Sequence, residues 1–515
     1  MTRSIEHRRK QPHERLADSL EILKNVLVDG IYRSNQIPRR DFERLMRSGY
    51  LREILRGWYH VTNPAAPDGT TIWQGHYWPF ISQYLGERFE DRYCLGAEAS
   101  LLVQSGLTEI PHQIVVLVEK NAGATVGLPN GRSILPYKDV NGLPESVETL
   151  NGVKVMSIEE ALSRAPHGFF KTHSLAAASV LATVGDSSAI LRLLLDRGAT
   201  VYAGRLIGAF RHIGDIQAAS RIASAMKSAG YEVTETNPFE RPMPAIGGQR
   251  LKSPYVARLR LMWGLMRDAV IHAMPPEPGM PQDAAAYLKR VDELARTDAY
   301  HSLSIEGYRV DDALIERVRS NSFDPDKVER DRQQRDALAA RGYYDTSLEV
   351  RSSIESILWG ADAATLVREA HHGWFEALFR VCVQAGILKA SDLAGYRHHQ
   401  VYIAGSNHVP VPTDAVVDSM ECLFDLLAEE ESAAVRAILG HFVFGFVHPY
   451  GDGNGRLARF LMNTMLASGG YPWTIIHVDI RDRYLEALER ASVNGDIDVF
   501  AALVAEQLRR TVELD

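Results

Sequence analysis

The sequence predicts a multidomain protein with a mainly α-helical C-terminal half, preceded by a small helix-and-strand module and a mixed α/β domain. Its 515 residues exceed the usual size of one hydrophobic core. Two stretches rich in proline and glycine, 237–254 and 272–283, are typical of domain edges. After the second, apolar residues recur mostly at helical spacing. We therefore expect a module at 16–62, an α/β domain at 63–236, a linker region at 237–282 and a helical domain at 283–515.

Charge is distributed unevenly along the chain. The net charge is −8, but the first sixty residues carry thirteen Lys and Arg against eight Asp and Glu. A basic first module on an acidic body indicates a separate role for the N-terminus. We find no apolar signal region and no run of eighteen apolar residues, and the three cysteines form no CxxC pair. These features predict a cytoplasmic protein with no membrane partner.

The module at 16–62 is predicted to contain three helices followed by short strands. One helix covers "DSLEILKNVLVDG" and ends at Gly30, and another covers "PRRDFERLMRSG". In the latter we expect four exposed basic residues, Arg39, Arg40, Arg44 and Arg47. A basic helix before a basic β-hairpin is the plan of a winged helix-turn-helix, which binds DNA. A small helical module with a solvated basic face fits the same pattern.

Longer segments of the N-terminal half resemble a known family. "LMRSGYLREILRGWYHV" and "CLGAEASLLVQSGLTEIPHQIVVLVEK" look like the AbiEi-type antitoxin and regulator proteins, over about 20–235. The resemblance implies a winged-helix head before a mixed α/β body, with DNA as a partner.

The stretch "HPYGDGNGRLAR", residues 448–459, concentrates the chemistry of the C-terminal half. An apolar helix precedes it and should end near His448, because Pro449 disfavours helical geometry at the residue before it. A second helix should follow and stop at Gly469. Between them, glycines permit positive φ and close approach of an anion to the backbone. The three glycines are Gly451, Gly453 and Gly455.

Charged residues around this turn point to nucleotide chemistry on a hydroxyl group. Arg456 and Arg459 lie in the first turn of the second helix, where positive charge opposes the helix dipole unless a phosphate is bound. Asp452 can supply the single carboxylate that Mg²⁺ takes beside phosphate oxygens. His448 is a base with a pKa near neutrality. A tight turn alone would explain the glycines but not these four side chains together.

The same stretch resembles the Fic (filamentation induced by cAMP) family, whose motif runs HxFx[DE]GNGRxxR. The match departs from the motif only at Tyr450, which replaces phenylalanine, and the resemblance covers roughly 283–510. It implies an α-helical bundle with one β-hairpin flap. It also implies transfer of AMP from ATP, with Mg²⁺, to a Ser, Thr or Tyr hydroxyl of a target protein.

The resemblance assigns a role to each residue of the motif. His448 takes the proton of the attacking hydroxyl, Asp452 holds Mg²⁺, and Arg456 and Arg459 bind the β- and γ-phosphates. Doc-type relatives that act as kinases carry lysine at the position of Gly455, so the glycine here favours nucleotidyl transfer. The α- and β-phosphates are assigned to Gly453, Asn454 and Gly455.

Two further segments are matched to the family. "QVYIAGSNHVPVP", residues 400–412, predicts a hairpin that serves as the target-binding flap; a structural hairpin is the alternative. The flap residues are Val401, Tyr402, Ile403 and His408. Tyr484 is assigned to the nucleotide site, facing the adenine, and a core tyrosine is the alternative.

"AYHSLSIEGYRV", residues 299–310, matches the inhibitory [ST]xxxE[GN] motif of Fic proteins. Ser302 and Glu306 are four residues apart, hence on one helical face, and Gly307 ends the turn. The resemblance implies that Glu306 pairs with Arg459 in place of the γ-phosphate, whereas simple helix capping is the alternative.

Other functions remain compatible with the sequence. One is a transcriptional regulator whose Fic domain only senses nucleotide. Another is a different reaction on the same fold: transfer of UMP or phosphocholine, or removal of AMP from a target. The oligomeric state is open, a homodimer included.

Overall fold

The structure is a computed structural model that describes residues 11–64, 69–120, 122–139, 142–245, 251–311, 314–315 and 335–512. Its contacts divide the chain into two compact units. The first is Met1–Glu240 with Tyr402–Val409, and the second is Arg241–Val401 with Pro410–Asp515.

The first unit begins with two helices and a small antiparallel sheet. These are α1 (Pro12–Lys24), β1 (Ile31–Arg33), α2 (Arg39–Arg47), β2 (Leu51–Leu55) and β3 (Trp58–Val61). The strand order is β1-β3-β2. The predicted third helix is absent from this described segment, and α1 ends six residues before Gly30. The reason is a turn at Asp29 and Gly30, both with positive φ, which sends the chain into β1.

One arginine of α2 differs from its predicted exposure. Arg39, Arg40 and Arg47 are exposed, as expected. Arg44 instead lies half-buried and pairs with Asp41 at 2.8 Å. Three exposed guanidinium groups therefore remain on this helix.

The rest of the first unit is mixed α/β. A four-stranded sheet has the order β4-β5-β7-β6, with β5 and β7 parallel, and β8 and β9 form a hairpin. The strands are β4 (Tyr93–Leu95), β5 (Gln113–Val118), β6 (Val126–Gly127), β7 (Ser133–Tyr137), β8 (Val147–Leu150) and β9 (Val153–Met156). The helices are α3 (Gly69–Phe89), α4 (Ala97–Gln104), α5 (Ile158–Ser163), α6 (His167–Thr172), α7 (Ser174–Leu181), α8 (Ser188–Asp196), α9 (Thr200–His212) and α10 (Ile216–Ser228).

A single hydrophobic cluster joins the N-terminal sheet to this mixed region. Ile31, Ile54 and Trp58 of the small sheet share a buried core with α3 and with strands of the larger sheet. The Trp58 ring meets Phe80 of α3 edge-on, with centroids 5.5 Å apart. The small sheet is therefore packed into the first unit, while a second hydrophobic cluster that includes Leu45 and Leu51 lies within residues 16–62 themselves.

The described part of the second unit is a helical bundle. Its helices are α11 (Pro254–Ala273), α12 (Ala284–Ile305), α13 (Arg335–Leu358), α14 (Ala363–Gln384), α15 (Val416–Glu429), α16 (Ala433–Val447), α17 (Asn454–Ala467), α18 (Arg481–Asn494) and α19 (Asp498–Val512). Helix α17 packs against α13, α14 and α16 and is the central element of the bundle. All of its side chains are buried, so the apolar stripe predicted from sequence understates its burial.

The region 237–282, expected to be a linker, contains the 20-residue helix α11. Ser253 caps this helix, and Pro254 occupies its first turn, where a proline loses no hydrogen bond. Helix α11 packs on α15, α16 and α19, and Trp263 is among its buried residues. The prolines that suggested a linker therefore mark the two ends of a core helix.

The hairpin predicted at 400–412 is wrong: this segment contains a turn at 403–406 but no strand. Pro410 and Pro412 have no N–H group, so alternate positions cannot join a ladder. Residues Tyr402–Val409 group with the first unit, where the Val409 N–H donates to the Thr108 carbonyl (2.6 Å) and the Gln74 amide donates to the Ser406 carbonyl (2.7 Å).

Among the described residues, none of the helices combines the length and the apolar character needed to cross a membrane.

Candidate active site

Helix α16 delivers His448 to the site. Its side chains are buried nearly all round, its N-terminus is capped by Ser432, and it ends with His448 as C-cap. His448 has φ 54° and ψ 60°, a left-handed conformation that is uncommon for a residue with a side chain. The Pro449 ring and this conformation together stop the helix, as the sequence predicted.

The glycine turn that follows depends chiefly on Gly453. This residue has φ 84°, and a Cβ there would lie 2.8 Å from Leu378 Cδ2 and 2.9 Å from Phe379 Cε2. Gly451 and Gly455 do not have a positive φ, so of the three glycines Gly453 alone uses the backbone freedom that the sequence permits. The Asn454 side chain closes the turn by pairing with both the N–H (3.0 Å) and the carbonyl (2.9 Å) of Tyr450.

Arg456 is a buried cation, and most of its N–H donors have no acceptor among the described residues. The residue is 1% exposed, and its guanidinium lies between the rings of Tyr308 and Phe379, 5.2 Å from each centroid. Its only hydrogen bond among the described residues is to Asp452 Oδ1 at 3.3 Å, and Nε has no partner. Unpaired buried donors are costly, so this arrangement fits a site that an anion completes.

Asp452 is placed to hold a cation beside such an anion. One carboxylate oxygen accepts the Gly453 N–H at 2.6 Å, and the side chain is 64% exposed. In the described part of the chain, no group of three or more His, Cys, Asp or Glu side chains could hold a metal alone. A single carboxylate nevertheless suits Mg²⁺, which takes its other ligands from water and phosphate.

Arg459 is bound mainly by the C-terminal end of helix α12. Its Nε donates to Ser302 Oγ (2.8 Å), and Nη2 donates to Glu306 Oε1 (2.8 Å) and to the Ser302 carbonyl (3.1 Å). The fourth bond, from Nη1, reaches the Tyr484 hydroxyl at 3.4 Å. The structure thus brings together the Ser302, Glu306 and Arg459 side chains that the sequence analysis had paired.

The Glu306–Arg459 pair favours charge on both partners. Burial alone would raise the pKa of Glu306, but the charge and hydrogen bond of Arg459, helped by Arg456, bring that pKa below its ordinary value. Burial likewise opposes the charge of Arg459, and Tyr484 and Glu306 raise its pKa above the ordinary value. An anion is therefore bound at this arginine in the present conformation.

Gly307 ends helix α12 in a Schellman arrangement. Its φ is 83°, its N–H donates to the Ser304 carbonyl (3.0 Å), and the Tyr308 N–H donates to the Leu303 carbonyl (3.1 Å). This sharp end directs Glu306 over the first turn of α17. A Cβ at Gly455 would overlap Oε1 of Glu306.

The His448 ring is held in one tautomer. Its Nδ1 lies 3.2 Å from the Gly445 carbonyl oxygen, so the proton is assigned to Nδ1 and Nε2 keeps its lone pair. Burial lowers the pKa of His448, and the nearby Arg397 charge lowers it further. Neutral imidazole with a free Nε2 is the form that a general base requires.

Sequence comparison with known proteins matches the region that contains this turn. Residues 364–466 match the Fic/DOC family. Over 123 residues the chain is 37% identical to the protein adenylyltransferase Fic of Drosophila willistoni, which is 23% of this chain and 24% of that relative. The corresponding protein of Nematostella vectensis is 36% identical over 122 residues, or 23% and 28% of the two chains. The C-terminal region contains a Fic domain.

The match is confined to that domain, since the chain spans only about a quarter of the length of these curated relatives. Among solved structures, Fic-1 from C. elegans has a TM-score of 0.36 at 17% identity, covering 69% of this chain and 88% of that chain. A Fic domain containing signaling protein from Bacteroides thetaiotaomicron has a TM-score of 0.36 at 16% identity, covering 49% and 95%.

The structure explains how this Fic domain accommodates Tyr450. The ring is fully buried and stacks on Phe375, with centroids 3.9 Å apart and planes 8° apart. Its hydroxyl bonds to His372 Nδ1 at 2.9 Å. The extra oxygen therefore has a partner in the core, and nothing in the sequence motif could have identified His372 as that partner.

Tyr484 of the Fic domain lies in the core. The residue is 2% exposed, and its hydroxyl lies 2.9 Å from His441 Nε2 as well as close to Arg459. The core alternative given for this tyrosine thus describes its present surroundings, and a contact with adenine stays a prediction.

The four predicted flap residues differ in exposure. His408 is 1% exposed, Val401 and Ile403 are partly buried, and Tyr402 is 36% exposed. Sequence reasoning missed several residues that contact the motif, among them His372, Tyr308 and Arg397. Tyr308 was quoted within the inhibitory stretch but given no role, and Arg397 belongs to no motif that we identified.

Proposed function

We propose that the Fic domain transfers AMP from ATP to a Ser, Thr or Tyr hydroxyl of a target protein and is inhibited in cis by Glu306. The observation that carries the proposal is the pair of buried arginines on the glycine turn. Arg456 has unused donors, whereas Arg459 is occupied by a carboxylate of the same chain. Guanidinium groups bind carboxylate and phosphate oxygens with the same geometry, so Glu306 and a phosphate compete for one arginine.

The chemical step follows from the residues around the turn. Neutral His448 Nε2 accepts the proton of the target hydroxyl as its oxygen bonds to the α-phosphorus of ATP. The bond from that phosphorus to the oxygen between the α- and β-phosphates breaks, and pyrophosphate leaves. The backbone N–H groups of the first turn of α17 and the two arginines neutralise the charge on the phosphates, so the contribution of this chain is positioning and electrostatic.

Asp452 would hold Mg²⁺ in this scheme, and Mg²⁺ would neutralise charge on the phosphate oxygens. The exposed carboxylate and the unsatisfied buried Nε of Arg456 fit a metal–polyphosphate ligand. Nothing else in the proposal depends on the metal.

The test uses Glu306→Gly, called the released variant below, with ATP labelled at either the α- or the γ-phosphate. Label from the α position alone, in cell lysate or on the protein itself, is expected. Label from the γ position would indicate a kinase, and no label from either would favour a nucleotide-sensing regulator. Two further substrates test the alternatives. Label transferred from α-labelled UTP would indicate UMP transfer, and loss of AMP from a pre-adenylylated target would indicate AMP removal.

His448 provides the matched control. Adding His448→Ala to the released variant should abolish label transfer, because no base remains, while ATP binding persists. Transfer that survives this change would remove His448 from the base role.

We propose a second function for residues 16–62, the winged-helix interpretation with DNA as partner. It is supported by the strand order β1-β3-β2 and by the exposed Arg39, Arg40 and Arg47 of α2. The test is a gel shift with DNA upstream of the chain's own coding region. Arg40→Ala with Arg47→Ala should weaken binding and reduce its salt dependence by about two ion equivalents. If the double variant shifts the DNA with the same salt dependence as the wild type, the exposed arginines of α2 do not form the DNA-binding surface.

A further inference from the structure

His448 occupies a conformation that its own residue type does not favour. A left-handed backbone is unfavourable for a residue with a Cβ because the Cβ lies too close to the following carbonyl oxygen, and Pro449 restricts the conformation further. In addition, the last carbonyls of helix α16 have no partner within the helix. The catalytic turn therefore needs support from outside its own segment.

That support comes from one residue, Arg397. Its Nε donates to the His448 carbonyl (2.8 Å), its Nη2 to the Val447 carbonyl (3.4 Å), and its backbone N–H to the Pro449 carbonyl (2.9 Å). Three consecutive carbonyls of the turn are thus bound by a single side chain and its own amide. A cation at the C-terminal end of α16 also complements the helix dipole.

The remaining donors of Arg397 reach the two ends of the segment that carries the predicted flap. Nη1 donates to the His399 carbonyl at 3.1 Å, and Nη2 also donates to the Val411 carbonyl. Next to these bonds, the Gln400 amide donates to the Pro410 carbonyl at 2.9 Å and closes the base of the segment. Arg397 therefore connects the base of this segment directly to the His448 turn.

Arg397 does this without a counter-ion. The residue is 6% exposed, burial lowers its pKa, and within the described residues its side chain bonds only to carbonyl oxygens. A buried guanidinium without a carboxylate is unfavourable for stability alone. Its planar donors nevertheless hold several carbonyls in fixed directions, which the single ammonium of lysine cannot do.

We propose that Arg397 is a positioning residue that holds the His448 backbone in register with the His399 and Val411 carbonyls. The proposal rests on the proposed function in that His448 is taken as the base. Arg397 acts through the backbone of His448, and its bonds are all to carbonyl groups outside the glycine turn.

The first test compares kcat and KM for ATP in the released variant with and without Arg397→Lys, which keeps the charge. A displacement of about 1 Å at the reacting group can lower the rate roughly 100-fold. We therefore expect kcat to fall at least 30-fold while KM for ATP stays within twofold. The matched control is Arg380→Lys, an exposed arginine of the same domain, which should change neither value. A kcat within threefold of the released variant would overturn the proposal.

The second test needs no transfer activity and so separates this proposal from the proposed function. Diethyl pyrocarbonate modifies neutral imidazole, and mass spectrometry reports the rate at each histidine. Arg397→Lys should raise the rate at His448 at least fivefold and leave the exposed His167 and the buried His441 unchanged. An unchanged rate at His448 would refute positioning. A rise at His441 as well would show general unfolding and would refute a specific role.

Discussion

Glu306→Gln removes the charge of the inhibitory carboxylate and leaves its size nearly unchanged. The amide oxygen can still accept the bond from Arg459, which measures 2.8 Å in the present structure. The substitution therefore loses only the difference in free energy between a charged and a neutral hydrogen bond. Charged bonds contribute about 1.5–3 kcal/mol and neutral ones about 1, so the loss is about 1 kcal/mol.

The location of the pair decides which part of that range applies. The Arg459 side chain is 4% exposed but the Glu306 side chain is 32% exposed, so solvent screens part of the attraction. Because 1 kcal/mol corresponds to about fivefold, we expect Glu306→Gln to shift the inhibited equilibrium by roughly threefold to fivefold. The released variant loses the whole contact, about 2 kcal/mol, which corresponds to roughly 30-fold.

The assay is transfer of label from α-labelled ATP, measured as an initial rate for wild type, Glu306→Gln and Glu306→Gly. The expected order of rates is wild type, then Gln, then Gly. Thermal stability should fall in the same order, because Arg459 is left buried with a weaker partner and then with none from residue 306. Rising activity with falling stability is the signature of an inhibitory contact.

The matched control is Glu293→Gln, on the same helix α12. Glu293 makes surface pairs with Arg290 (3.3 Å) and Lys289 (3.8 Å), and such pairs contribute little. It should change neither rate nor stability measurably. Equal rates for wild type and Glu306→Gln, or a released variant more stable than wild type, would refute the inhibitory role of this ion pair.

Three further predictions concern neighbouring residues. Tyr308→Ala in the otherwise natural chain should raise label transfer about threefold to tenfold, because a cation–π contact of about 1 kcal/mol no longer restrains Arg456; Tyr308→Phe should keep the wild-type rate, and equal rates for wild type and alanine would contradict the idea. Tyr450→Phe should lower the free energy of unfolding in urea by about 1 kcal/mol, because His372 loses its partner, while transfer by the released variant stays within twofold; a larger loss of transfer would show that the hydroxyl takes part in the reaction. Because burial lowers the pKa of His448, its imidazole stays neutral below pH 6.5, so kcat of the released variant should persist there and fall only at more acidic pH; a decline centred at or above pH 6.5 would contradict this.

Local signals in the sequence were sufficient for the catalytic turn. Pro449 and the apolar run before it predicted the end of α16, and Gly453 marks the positive φ from which α17 begins. The four-residue spacing placed Ser302 and Glu306 on one helical face, and the resemblance to the inhibitory motif supplied Arg459 as the partner of Glu306. The structure brings these three side chains together.

Long-range partners could not be predicted in this way. The Nε of Arg397 donates to a carbonyl 51 residues away, and because every residue has a backbone carbonyl, the sequence gives no sign of which one is the partner. His372 lies 78 residues from Tyr450, and only the fold brings the two together. The prolines before residue 254 suggested a linker because proline is as common at a helix start as in a linker. The hairpin at 400–412 was predicted from alternating side chains alone, without weight for Pro410 and Pro412, which cannot donate to a strand ladder.

Residue 455 is constrained by the contact between Glu306 and Arg459. In the present structure the Glu306 carboxylate fills the space where a side chain at 455 would begin. A lysine at this position would therefore alter the turn and displace the Glu306 carboxylate in one substitution. If Glu306 inhibits as proposed, the chain cannot gain that lysine without also losing its restraint, and the cell would have to control such a variant by some other means.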